Sequence, residues 1–170
     1  MASPENILLY LAPPHEAAVR EVFRQLADRG FPTQHQTPHI TITFAPTMQP
    51  HVVDRAAELL PGLVPADFHR AGTVVFGTKR KQTVTWLLET TDELEQAARE
   101  LSDLNPDGRG NRWIPHLTVG LRLPRDIVPD YLRALDDIEA PKTLQAITAG
   151  YWRPAEQNLR VLAGEPRNLN

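Results

Sequence analysis

The sequence predicts an α+β fold built from two similar halves, and three observations carry that prediction. Short β-branched runs alternate with stretches of helical spacing along the whole chain. The segment TPHITITF, from Thr37 to Phe44, is echoed seventy-seven residues later by IPHLTVGL, from Ile114 to Leu121. Each copy enters a strand directly after a helix and a loop, so a structural unit is repeated rather than one peptide. For a chain of this composition, one chance Pro-His-aliphatic-Thr-aliphatic match is expected in about four of every thousand such chains. Two matches in one chain are therefore a repeat.

The elements follow in order. The apolar run ILLYLA reads as a first strand. After Pro13-Pro14, the segment HEAAVREVFRQLADRG places Val19, Val22, Phe23 and Leu26 at helical spacing, and Gly30 stops the helix. HITITF is the second strand. Val52 or Val53, Ala56 and Leu59 or Leu60 mark a short helix ended by Pro61-Gly62. AGTVVFG and TVTWLLET form two strands joined by the basic turn TKRKQ. Thr90 and Glu93 form a capping box for a helix whose inward face is Leu94, Ala97, Leu101 and Leu104. After the loop NPDGRGNR comes the strand WIPHLTVGLRL. A helix from about Ile127 to Ile138 turns Val128, Tyr131, Leu132 and Leu135 inward. The strands LQAITAGYWR and NLRVLAG close the fold, and EPRNLN reads as a frayed tail.

Composition narrows the function. With 170 residues and no linker or low-complexity stretch, residues 1–170 form one domain. The net charge of −3 speaks against sequence-independent binding of long duplex nucleic acid, which needs a basic surface to displace counterions. The absence of cysteine excludes disulfides, cysteine-ligated zinc and a thiol nucleophile, and it fits a cytoplasmic protein. The first apolar run is too short to span a membrane and lacks the basic start of a signal peptide.

In each motif, proline suits a strand's first position because it has no N–H to donate. Beyond it, side chains alternate faces. Ile40, Ile42 and Phe44 go to the core, as do Leu117, Val119, Leu121 and Leu123. His39, Thr41 and Thr43 share the other face, as do His116, Thr118, Gly120 and Arg122. A neutral imidazole can take a proton from water while a protonated one gives a proton to a leaving oxygen. Threonine hydroxyls suit the non-bridging oxygens of a phosphodiester. Gly120 would allow substrate close to the backbone.

The pair His39-Ile40-Thr41 and His116-Leu117-Thr118 resembles the double His-x-Thr signature of the two-histidine (2H) phosphoesterase superfamily, which includes bacterial 2′-5′ RNA ligase/RNA 2′,3′-cyclic phosphodiesterase proteins. The resemblance extends to chain length, motif separation and the segment TVTWLLETTDELEQAAREL before the second motif. It implies a bilobal fold: two pseudo-symmetric lobes of mainly antiparallel sheet line one central cleft, with helices packed outside. It further implies His39 and His116 as catalytic acid and base, and Thr41 and Thr118 as phosphate-binding donors. The implied reaction opens a 2′,3′-cyclic phosphate on an RNA end or small nucleotide to a 2′-phosphate, in a monomer without cofactor or metal. Cleavage or ligation of 2′,5′ linkages, a cyclic phosphate of ADP-ribose, and a non-catalytic nucleotide-binding module stay open. Two features depart from the typical bacterial ligase pattern: the second motif delays its arginine to Arg122, and the first strand lacks an Arg-Phe opening.

Further substrate-binding candidates are Arg122, Trp113, Tyr10 and Trp152, the aromatics as stacking surfaces for a base. Trp86 reads as core. Arg109 and Arg112, and the TKRKQ turn, are placed to guide a phosphate. His35 and His39 are four apart, but Pro38 and the β-branched run exclude the helix that metal ligation at that spacing needs. His15-Glu16 lacks the second histidine of a zinc protease motif, and His51 and His69 receive no role.

Overall fold

The computed structural model describes residues 3–168. Its elements run β1 (Glu5–Leu11), α1 (Pro13–Asp28), β2 (His39–Ala45), α2 (Pro50–Leu59), β3 (Ala66–Phe76), β4 (Lys81–Glu89), α3 (Asp92–Leu104), β5 (His116–Pro124), α4 (Val128–Asp136), β6 (Thr143–Arg153) and β7 (Asn158–Gly164). All strand pairings are antiparallel. They build one open sheet in the order β2-β1-β6-β3-β4-β5, with β7 added to β6. No helix among the described residues is long and apolar enough to cross a membrane.

That order is symmetric. Replacing β1, β2 and β6 by β4, β5 and β3 reproduces it. The two halves of the chain, β1-α1-β2-α2-β3 and β4-α3-β5-α4-β6, fold alike but trade their last strands: β6 pairs with β1, and β3 pairs with β4. The helices follow the same exchange. Helix α1 packs on β5 and α4, while α3 packs on β2 and α2. At the centre, Ala66–His69 of β3 pair with Thr143–Ala146 of β6, so the sheet is continuous through the axis. A half of the sequence is thus not a structural half, because each needs a strand from the other to complete its sheet.

Local chemistry explains most boundaries. Pro13 and Pro14 sit in the first turn of α1, where a missing N–H costs nothing, and Val19, Val22, Phe23 and Leu26 are buried as their spacing predicts. The cap of α3 is Thr91, which accepts the Leu94 N–H at 3.3 Å. The expected cap, Thr90, instead donates to the Asp67 carbonyl at 2.9 Å and ties the helix start to β3. Leu104, expected inward, is 37% exposed, because α3 ends there and Asn105 takes the buried position. Leu132 is only half-buried. Strand β3 starts five residues earlier than predicted, where pairing with β6 begins, and β5 starts at His116 rather than Trp113. The tail is ordered by contacts as far as Arg167: the Glu165 N–H donates to Ile147, and Arg167 pairs with Glu16 at 2.6 Å. The last two residues of the predicted frayed segment lie outside the described residues. Trp86 is core, 1% exposed, with the Arg70 guanidinium 4.6 Å above its ring.

Candidate active site

Both motif strands carry a β-bulge at the same place, directly after the threonine. In β2, Ile7 lies opposite Thr43 and Leu8 opposite Thr41, leaving Ile42 as the extra residue. In β5, Val84 faces Gly120 and Thr85 faces Thr118, leaving Val119 extra. Up to the bulge the expected alternation holds: Ile40 and Leu117 are fully buried, and His39, Thr41, His116 and Thr118 are half-buried. Beyond it the faces invert, since one extra residue flips every later side chain. Thr43 and Gly120 go inside; Phe44 and Leu121, expected in the core, are 53% and 48% exposed. A further register shift in β5, with Arg122 at φ +48°, returns Leu123 to the core.

Each bulge is held by one buried side chain that sequence reasoning did not assign to this task. Asn105, read as the start of a loop, is 3% exposed. Its Nδ2 donates to Thr43 Oγ1 at 2.8 Å and to the Phe44 carbonyl at 2.9 Å. Its Oδ1 accepts the Asp107 N–H at 3.1 Å. On the other strand the Tyr131 hydroxyl, fully buried in α4, donates to the carbonyl of the bulged Val119 at 2.5 Å. Gly120 serves this packing rather than substrate: a Cβ there would lie 2.7 Å from Tyr131 Cε1 and Leu123 Cδ1. An Asn following a helical run and preceding Pro-Asp-Gly was the available signal for the first anchor; nothing local marks the second.

The two imidazoles are held alike. His39 Nδ1 donates to the Thr37 carbonyl and His116 Nδ1 to the Ile114 carbonyl, each at 2.7 Å and each two residues back. A carbonyl only accepts, so Nδ1 keeps its hydrogen in both charge states and proton exchange falls to Nε2. Burial pushes both histidines below the ordinary value, against the raising effect of these hydrogen bonds. Charge on His116 lowers His39 further, and the Arg109 guanidinium lowers His116. His39 is the more deeply buried of the two.

The motifs come together although their strands sit at opposite ends of the sheet order. β2 and β5 touch without forming a ladder. The Trp113 indole N–H, just before the second motif, donates to the carbonyl of Thr41 at 3.0 Å.

Over residues 8–156 the sequence matches the 2'-5' RNA ligase superfamily. The chain belongs to that superfamily, the two-histidine phosphoesterases. Among solved structures it resembles that of Kluyveromyces marxianus Usb1 with uridine monophosphate, with a TM-score of 0.53 and 10% sequence identity, covering 93% of this chain and 97% of that one. This likeness concerns the fold. No curated protein matches by sequence.

Of the two histidines of this 2H chain, His39 lines a cavity and His116 touches a second only through Phe76. His39 borders one of about 1230 Å³ that is also lined by Tyr10, His35, Thr148, Trp152 and Arg167. Phe76, whose ring packs against His116 at 5.0 Å, borders a second of about 1540 Å³. Of the proposed stacking aromatics, Trp152 and Tyr10 line the His39 cavity and Trp113 lines neither cavity. Tyr10 is 5% exposed with the Arg167 guanidinium 4.1 Å over its ring, so that face is taken. Trp113 packs edge-on against Phe68, and its N–H is committed to β2, so it bridges the motif strands. Arg122, exposed at the second register shift, lines the second cavity. His15 accepts the Gln145 N–H, His69 bonds Thr143, and among the described residues no group of three or more His, Cys, Asp and Glu side chains converges as a metal site would.

Proposed function

We propose that the chain is a phosphodiesterase that opens 2′,3′-cyclic phosphates on an RNA end or nucleotide to 2′-phosphates. The observation that carries this reading is the matched anchoring of the two histidines, which leaves both Nε2 atoms free for proton transfer. His39, the more buried and the one disfavoured by charge on its neighbour, is the neutral base and takes a proton from the attacking water. The water oxygen bonds to phosphorus as the bond to O3′ breaks, and His116, protonated, gives its proton to O3′. Thr41 and Thr118 donate to the non-bridging oxygens, where charge builds up. The site resets when His39 loses and His116 regains a proton from solvent. Membership of the superfamily supports a phosphodiesterase; the site's chemistry supports this particular ester.

The test is turnover of a 2′,3′-cyclic mononucleotide in EDTA, with products resolved by phosphorus NMR. A 2′-phosphate product is expected, with kcat reduced about 10²–10⁴-fold in His39→Ala and in His116→Ala. Full activity in both variants would overturn the mechanism. A 3′-phosphate product, or turnover confined to 2′,5′-linked or ADP-ribose substrates, would overturn the substrate assignment.

A further inference from the structure

Among the described residues, eight of the eighteen lysine and arginine side chains are held in ion pairs. Five of the remaining ten, Lys79, Arg80, Lys81, Arg122 and Arg125, line one groove, the 1540 Å³ cavity bordered by Phe76. On a chain of net charge −3 this is a strong local excess, opposed within the groove only by Asp126, which pairs with none of them. On α1, by contrast, Arg24 sits between Glu21 and Asp28.

The groove is also preformed. The β3–β4 turn is strapped to the segment after β5 by two hydrogen bonds, from the Arg125 N–H to the Arg80 carbonyl at 2.9 Å and from the Arg125 guanidinium to the Thr78 carbonyl at 3.0 Å. Gly77 makes the turn possible at φ +103°, where a Cβ would lie 2.8 Å from the Lys81 carbonyl oxygen. The other wall is apolar, from Phe76, Pro124 and Pro129. Phe76 joins this wall to the reacting centre through its contact with His116.

We propose that this groove binds the body of a single-stranded oligonucleotide whose end lies between the two histidines. Cations along one side and an apolar wall along the other fit a chain with a phosphate backbone and unstacked bases. An acidic peptide would leave the apolar wall unused, and a duplex would hide its bases. The inference rests on the phosphodiesterase reading and narrows its substrate to an oligonucleotide rather than a free mononucleotide.

Binding is measured by fluorescence anisotropy with a fluorescein-labelled ten-nucleotide oligouridylate ending in a 3′-phosphate, which cannot turn over. If each of the five cations meets one phosphate, the affinity falls about 100-fold between about 50 and 200 mM salt, from a slope of about −0.7 per phosphate. In Lys79→Ala/Arg80→Ala/Lys81→Ala, with two cations left, the fall is about 7-fold. Arg122→Gln, a single change that removes one charge, lowers both affinity and slope by a smaller step. In turnover, the ratio of kcat/KM for a cyclic-phosphate-ended decamer to that for a cyclic mononucleotide drops at least tenfold in the triple variant. Unchanged affinity and slope in both variants would overturn the proposal, as would equal competition by polyglutamate. If neither substrate is turned over, the catalytic reading fails while the anisotropy measurement still decides the groove.

Discussion

Asn105→Ala probes how the first histidine strand is held. The side chain makes three hydrogen bonds, a buried one to Thr43 Oγ1 and part-buried ones to the Phe44 carbonyl and the Asp107 N–H. At about 1 kcal/mol for each lost bond, the expected destabilisation is about 3 kcal/mol. For a chain of this size that lowers Tm by about 6–12 °C. Asn105 does not border His39, so activity falls through displacement of the bulge: kcat drops while KM changes little. Thermal unfolding followed by circular dichroism, with steady-state kinetics below the transition, reads both effects. Thr43→Val removes one of the three partners, and the double variant should show a coupling of about 1 kcal/mol with Asn105→Ala. A Tm within about 1 °C of the parent, or strictly additive single variants, would refute the claim that Asn105 anchors β2.

Three further outcomes are expected. Because burial holds both histidines below the ordinary value of about 6.5, the free-enzyme pH profile of kcat/KM is a bell with both limbs on the acid side of that value, and a plateau extending above pH 8 would contradict it. The same shifts act on stability. Above about pH 6.5 both states carry neutral imidazoles; below it the unfolded chain binds more protons, so stability falls with pH through the depressed values, and His39→Gln flattens part of that fall in urea titrations. Gly120→Ala forces a Cβ against Tyr131 and Leu123 and costs about 1–3 kcal/mol, seen as a lower urea midpoint with unchanged m; an unchanged midpoint would mean that the Tyr131 ring yields freely.

Much of the site was legible in the chain because its chemistry is carried by a repeated local pattern. Proline before histidine marked where the strands begin, and alternation placed His39, Thr41, His116 and Thr118 on one face as far as the threonines. There the reading stopped being local. A bulge is a mismatch between two strands, and Ile42 and Val119 look like ordinary strand residues until their partners, Leu8 and Ile7 or Thr85 and Val84, are known. Thr43, Phe44, Gly120 and Leu121 were therefore placed on the wrong faces together. The surroundings of the aromatics are equally non-local: Arg167 lies over the Tyr10 ring and Phe68 packs edge-on against Trp113, both distant in sequence.

The sequence by itself determined the α+β class, the repeat, the identity of the four motif residues and the order of strands and helices. These follow from spacing and side-chain chemistry within a few residues. Only the tertiary structure decided that the halves exchange β3 and β6, that Asn105 and Tyr131 hold the bulges, and that five cations without ion pairs among the described residues line one groove with Phe76. Each of those depends on which backbone donors, carbonyls and charges meet across the fold, and hydrogen bonding and ion pairing between distant residues leave no period in the chain to read.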